Sequence, residues 1–300
     1  MQLPYYTCPN TIPVPSSLKN SSPVPNDLQS ISIEFSYFPD YAGNNSRPNE
    51  FSKNLLRNLK SLTGVAPKVR VGGTSKDHAT YFPDQEENVK LFYQNPTDDQ
   101  PIQINYRPTF FESYHTLGEI KFLHGLNMNQ NSSIQQLQDS ATEKACHGSF
   151  PGFMAPSFVL LDFIDSMTWT AEDLPNLGYD KDDLTKELCF HNYMRVNEPP
   201  LPPAQLDLQD FDKSHKNWDF AQQIKRAENL AYLDLPYMLG ELNSIANQGV
   251  NGETDVFGDA LWLVDFSLWA AVHRLQFHQG LNYRYASWQT IESKELPPTT

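Results

Sequence analysis

The stretch Leu235-Pro236-Tyr237-Met238-Leu239-Gly240-Glu241-Leu242-Asn243-Ser244 is a short apolar run that breaks at Gly-Glu and then turns polar. A run of this length, closed by Asn and Ser, reads as a buried strand entering a loop. Glu241 then stands at the carboxyl end of the strand. In barrels of parallel strands the reactive groups gather at that end. A single Glu at a strand exit is ordinarily just solvated, so its meaning depends on what surrounds it along the chain.

Working outward, the neighbouring segments alternate between strand and helix patterns. Upstream, Leu184–Tyr193 reads as a strand with His191 and Tyr193 on one face near its exit, followed by a helix from Lys216 to Tyr232. Downstream, Phe257–Ala271 is a helix apolar nearly all round, which predicts burial on every side. Leu275–Gln279 is a final strand. Nearer the start, Ile31–Phe38 alternates with period two, and Glu34 and Ser36 share its second face. Asn49 caps a helix with Phe51, Leu55, Leu59 and Leu62 as its apolar positions, ended by Gly64. Pro67–Gly73 and Ile120–Asn127 are further strands. Ser132 or Ser133 starts a helix carrying Ile134, Leu137, Ala141 and Ala145; Phe150–Ala155 is a short strand and Ser157–Met167 a helix. Residues 80–108 form a polar excursion with pairing around Ile102–Tyr106, and Thr109–Leu117 is a short helix.

Regular alternation of strands and helices predicts a parallel α/β protein, and the number of strands favours a (β/α)8 barrel over a doubly wound sheet. Residues 1–29, rich in Pro, Ser and Asn, are expected to be an extended arm, with one barrel domain over residues 30–300.

Composition narrows the classes further. With 39% hydrophobic residues, 18 Phe, 14 Tyr and 5 Trp among 300, the chain can build a core without staples. A net charge of -14 argues against a nucleic-acid partner, which demands a basic surface. Cys8, Cys146 and Cys189 match neither a zinc site nor a redox pair. Gly72-Gly73 lacks the third glycine of a dinucleotide fingerprint and reads as a tight turn, so no cofactor is expected. No apolar run is long enough to span a membrane, and the first ten residues lack the pattern of a signal peptide.

Several short motifs then fall in a telling order: Ser32-Ile33-Glu34-Phe35 with Pro39–Asn44, Arg70-Val71-Gly72-Gly73, His124-Gly125-Leu126-Asn127, His191-Asn192-Tyr193-Met194, Leu239–Ser244, Phe257–Trp262 and Phe277-His278-Gln279-Gly280. Together, from about residue 25 to 290, they resemble glycoside hydrolase family 79, the fungal family of β-glucuronidases related to heparanase. The resemblance implies a retaining glycosidase on a (β/α)8 barrel, acting outside the cell on a glycan or glucuronide. It casts Glu241 as nucleophile and Asp77, His191 and Tyr193 as lining of the sugar pocket, with Gly-Gly-Thr-Ser-Lys-Asp standing where the family has Gly-Gly-Asn-Thr-Gln-Asp.

Two family features are not found. The Asn-Glu-Pro motif that supplies the acid/base at strand four should fall between Asn127 and His191, and no such motif occurs there. Asn197-Glu198-Pro199 follows the His-x-Tyr strand instead of preceding it, in a proline-rich loop, and is read as a chance match. The barrel is therefore expected to lack its strand-four segment, and the chain to lack the family's C-terminal β-sandwich. A non-catalytic sugar-binding relative or a truncated member is the alternative.

Overall fold

The computed structural model describes residues 23–96, 98, 100–127, 153–158, 176, 185–196, 218–246, 249–250, 252, 254–273 and 275–280. Within them lie ten strands: β1 (Gln29–Glu34), β2 (Val69–Gly72), β3 (Ala79–Tyr81), β4 (Val89–Phe92), β5 (Gln103–Tyr106), β6 (Phe122–His124), β7 (Phe153–Phe158), β8 (Thr185–Val196), β9 (Tyr237–Ala246) and β10 (Gln276–Gly280). The helices are α1 (Phe38–Ala42), α2 (Glu50–Thr63), α3 (Thr74–Asp77), α4 (Trp218–Leu230) and α5 (Phe257–His273).

Seven strands form one sheet in the order β6-β2-β1-β10-β9-β8-β7, and every pairing in it is parallel. The first strand in the chain lies beside the last, and β6 and β7 end the order. Among the described residues no pairing joins those two ends. A small second sheet, β3-β5-β4, is the excursion expected around Ile102–Tyr106.

Side-chain alternation divides the large sheet into two faces. On β1, Ile31 and Ile33 join Val69 and Val71 of β2 in an outer core with Phe35, Phe38, Phe110 and Tyr106. Ser30, Ser32 and Glu34, one step out of phase, take the other face. That face is concave. In a flat sheet five strand spacings, about 24 Å, would separate β2 from β7. Arg70 of β2 nevertheless comes within 3.4 Å of Ser157 on β7. The sheet must curl until its opposite halves meet across a polar interior.

Local signals account for the helices that the alternation predicts. Asn49 caps α2 by accepting from the Ser52 N–H at 3.2 Å, and Gly64 ends it at a φ of 84°. The inward face of α2 differs from the expectation, however. Ser52 and Leu56 are buried, whereas Phe51, Leu59 and Leu62 are exposed. The covered side of this helix therefore includes a short polar residue, Ser52, which an apolar pattern does not reveal.

Helix α5 also departs from its expected burial on every side. Asp259, Trp262, Phe266 and Ala270 face inward against Leu239, Leu242 and Phe277, but Leu268 is 65% and Val272 77% exposed. A uniformly apolar helix carries no moment to say which side is covered. The first strand, expected to reach Phe38, stops at Glu34 and passes into a 3-10 turn over Phe35–Tyr37. Ser157, expected to begin a helix, belongs to β7. The helix from Ser132 or Ser133, the rest of Ser157–Met167, Asn197-Glu198-Pro199 and the first 22 residues of the expected arm lie outside the described residues. Leu28, assigned to that arm, packs against the α5 core.

Candidate active site

The site begins with a register shift. Phe190 pairs with Leu239, yet the next residue, His191, pairs with Glu241; on the other side Phe277 pairs with Leu239 and Gln279 with Leu242. Both neighbours therefore skip one residue of β9, and against β8 that residue is Gly240. Such a bulge flips the phase of a strand. Leu239 and Leu242 consequently both reach the outer core under α5, while Glu241, which strict alternation from Leu239 would also have pointed outward, faces the interior. Gly240 is needed for this: a Cβ there would lie 2.1 Å from the Cys189 sulfur.

Strand β8 keeps its alternation. Leu188 and Phe190 pack outward with Leu230 of α4, and Asn192 accepts from Gln223 of α4 at 3.3 Å. Cys189, His191 and Tyr193 take the inner face. The Tyr193 hydroxyl donates a short hydrogen bond to Glu241 Oε1. Arg70 Nη1 donates to Glu241 Oε2 at 2.6 Å and to Ser32 Oγ at 2.8 Å. His191 Nδ1 lies 3.9 Å from the same Oε2.

Electrostatics follow from this packing. Burial pushes the Glu241 carboxyl up, but His191, Arg70 and the Tyr193 hydrogen bond outweigh it and hold the group at about 2. Burial also lowers His191 to about 4. The imidazole is thus neutral near pH 7, and the lasting counter-charge on Glu241 is the guanidinium. Burial, then the Glu241 charge, raises the Tyr193 phenol well above its ordinary value, so it remains a donor.

A second carboxyl stands at the end of β1. Glu34 accepts from the Ser75 N–H at 3.1 Å and from the Ser75 hydroxyl. Gly73 packs flush against it, so that a Cβ there would lie 2.2 Å from Glu34 Oε1. Burial first, and the Glu241 charge second, raise Glu34 to about 7. One carboxyl of the interior is firmly ionised and the other holds a proton into the neutral range.

Of the residues singled out in the sequence, Glu241, His191 and Tyr193 meet. Asp77 stands apart at the end of α3: its half-exposed carboxylate pairs with Lys76 at 3.1 Å, and its backbone carbonyl accepts from Asn127. Arg70, Ser32, Ser157 and Ser75 were not assigned roles from sequence, and Glu34 was noted only for its face. The Val-Arg-Val triplet was the available signal, since an Arg inside a buried strand requires an anionic partner. Among the described residues no group of three or more His, Cys, Asp or Glu could hold a metal ion, and no helix is long and apolar enough to cross a membrane.

Glu241 was expected at the exit of its strand, but β9 runs on through Ala246, so the carboxylate stands mid-strand. Fold and site together define a parallel α/β protein with a carboxylate-centred site on the inner face of its sheet. Comparison with known proteins narrows the class. No protein-family model matches the chain. It is 33% identical to a β-glucuronidase of Aspergillus niger over 92% of its own length and 64% of the relative's, and 33% identical to one of Neurospora crassa over 92% and 61%. The crystal structure of a 4-O-α-L-rhamnosyl-β-D-glucuronidase from Fusarium oxysporum shares the fold, with a TM-score of 0.62 at 21% identity, covering 92% of this chain and 68% of that one. Over 92% of its length the chain is thus similar to fungal β-glucuronidases. It spans less than two thirds of the two fungal relatives' length. The alignments run over 347 and 350 positions, more than the 300 residues of the chain, so they bridge internal stretches present in those relatives and missing here.

Proposed function

We propose that this chain carries the site of a retaining glycosidase for β-linked glucuronic acid, with Glu241 as nucleophile. The observation behind this reading is the ionised Glu241, held by Arg70 and Tyr193 on the inner face of the parallel sheet. A carboxylate that stays charged and fixed in direction suits attack on an anomeric carbon. His191 and Tyr193 line the sugar site beside it, and Asp77 joins them only as the family resemblance implies. The substrate is a glycan or a smaller glucuronide.

The second carboxyl fits an anionic sugar. Arg70 is committed to Glu241, and a protonated Glu34 offers a substrate carboxylate a neutral donor. The curled sheet is a (β/α)8 barrel without its fourth strand, occupying residues 30–300. The adjacency of β1 to both β2 and β10, the position of β6 and β7 at the ends of the order, and the gapped alignments support this.

Loss of the Asn-Glu-Pro acid removes leaving-group protonation, typically worth about 10² to 10⁴ in rate. Turnover is then confined to glucuronides with good leaving groups. The test is hydrolysis of an aryl β-glucuronide with and without azide, which can stand in for the missing acid/base in the second step. Azide-dependent turnover that disappears in Glu241→Gln supports the enzyme. No turnover in either condition overturns it and leaves the second reading, a sugar-binding relative, which the missing acid motif favours.

A further inference from the structure

Ser157 lies outside every role assigned so far, yet its backbone is unusual. Pro156 pairs with Cys189 and Phe158 with Phe190, so Ser157 is an extra residue in β7, and its φ is 62°. A non-glycine residue in that region is strained and persists only where its surroundings fix it. The bulge brings its hydroxyl into the interior, 3.0 Å from His191 Nε2.

The donors around that nitrogen decide its state. Arg70 Nη2 also lies 3.3 Å from Nε2, and a guanidinium has only hydrogens to offer. Nε2 must therefore be an acceptor. Ser157 Oγ itself receives Arg70 Nη2 at 3.4 Å and the Cys189 thiol at 3.6 Å, which leaves its own hydrogen for the imidazole. On the opposite side of the ring, Nδ1 is buried with no hydrogen-bond partner among the described residues and faces Glu241 Oε2 at 3.9 Å.

We infer that Ser157 is a positioning residue: with Arg70 it holds neutral His191 as the Nδ1–H tautomer, so that an N–H and not a lone pair faces the Glu241 carboxylate. The reversed tautomer would oppose two N–H groups at Nε2 and two lone pairs at Nδ1. A shift of under an ångström closes the Nδ1–H to Oε2 gap into a hydrogen bond, which steadies the carboxylate before a ligand arrives. The inference concerns the site proposed above but rests on donor and acceptor geometry, not on turnover.

Long-range proton–nitrogen NMR correlation of the nitrogen-15-labelled full chain at pH 7 tests it. His191 is identified by the signals missing in His191→Gln, and the measurement needs no substrate. The expected pattern is Nδ1–H. Ser157→Gly removes the hydroxyl and suits a φ of 62°, and Ser157→Ala removes the hydroxyl alone. Each should move the tautomer ratio about fivefold toward Nε2–H, the effect of losing one ordinary hydrogen bond. An Nε2–H pattern in the unaltered protein, or an unchanged ratio in both variants, overturns the inference. A chain that fails to hydrolyse glucuronides yet shows the Nδ1–H pattern and its shift would refute the enzyme alone.

Discussion

Arg70 and Glu241 are 2.6 Å apart although β1 and β10 separate their strands. In a flat sheet three strand spacings, about 14 Å, would lie between their backbones. The ion pair therefore joins two distant strands across the concave face, and it fixes both the curvature of the sheet and the direction of the carboxylate. Both side chains are largely withdrawn from solvent, at 8% and 15% exposure.

Removing one partner of such a pair strands the other. Arg70→Ala should lower stability by about 3–5 kcal/mol, and Arg70→Met by a comparable amount while Glu241 remains. The double variant Arg70→Met with Glu241→Gln should recover a large part of that loss. Urea unfolding of the unaltered protein, Arg70→Met, Glu241→Gln and the double variant measures the coupling; additive losses would mean that the pair does not hold the interior together.

Gly240 and Cys189 make a second, steric pair. Gly240→Ala should cost about 1–3 kcal/mol, because its new methyl would overlap the Cys189 sulfur. Combining it with Cys189→Ala removes the obstructing atom and should restore much of the stability. Equal melting temperatures for Gly240→Ala with and without Cys189→Ala would count against the bulge.

The two interior carboxyls give opposite pH dependences. Glu34 is raised from 4.5 to about 7, so its contribution to stability is fully present below pH 4.5 and fades as pH rises through 7. Glu241 is lowered to about 2, so its contribution is present above pH 4.5 and is lost as pH falls toward 2. His191 and His124, both lowered to about 4, add stability as pH rises to about 6.5, so the Glu34 effect is read above that range. Melting temperatures between pH 6.5 and 8 should therefore decline, and Glu34→Gln should flatten that decline. A slope untouched by the substitution would show that another group titrates.

Helix α5 separates its two faces energetically. Phe266→Ala, under the sheet, should cost about 3–5 kcal/mol, whereas Leu268→Lys, on the exposed side, should change stability by roughly 0.5 kcal/mol or less. Chemical denaturation distinguishes them. A large loss from Leu268→Lys would mean that this face is covered in solution.

Much of the fold was legible in the sequence because it depends on local pattern. Period-two alternation located β1, a short apolar run closed by polar residues located β9, and alternation along β8 placed His191 and Tyr193 together on one face. The cap at Asn49 and the stop at Gly64 bounded α2. The inward faces of α2 and α5 were not legible, since the burial of a polar Ser52 and the covering of one side of an all-apolar helix are decided by neighbours distant in sequence.

Glu241 shows where the division falls. By itself the sequence determined that a glutamate follows a glycine in a buried strand, amid motifs in the order of a glycosidase family; it placed the strand's end there, whereas β9 runs on to Ala246. Alternation counted from Leu239, however, would have turned Glu241 toward the helices. Only the tertiary structure decided its direction: β9 slips its register against both β8 and β10, and Arg70 meets the re-aimed carboxylate across the curled sheet. A bulge is a relation between three strands, and neither it nor an ion pair spanning 171 residues of chain leaves a periodic trace in the sequence.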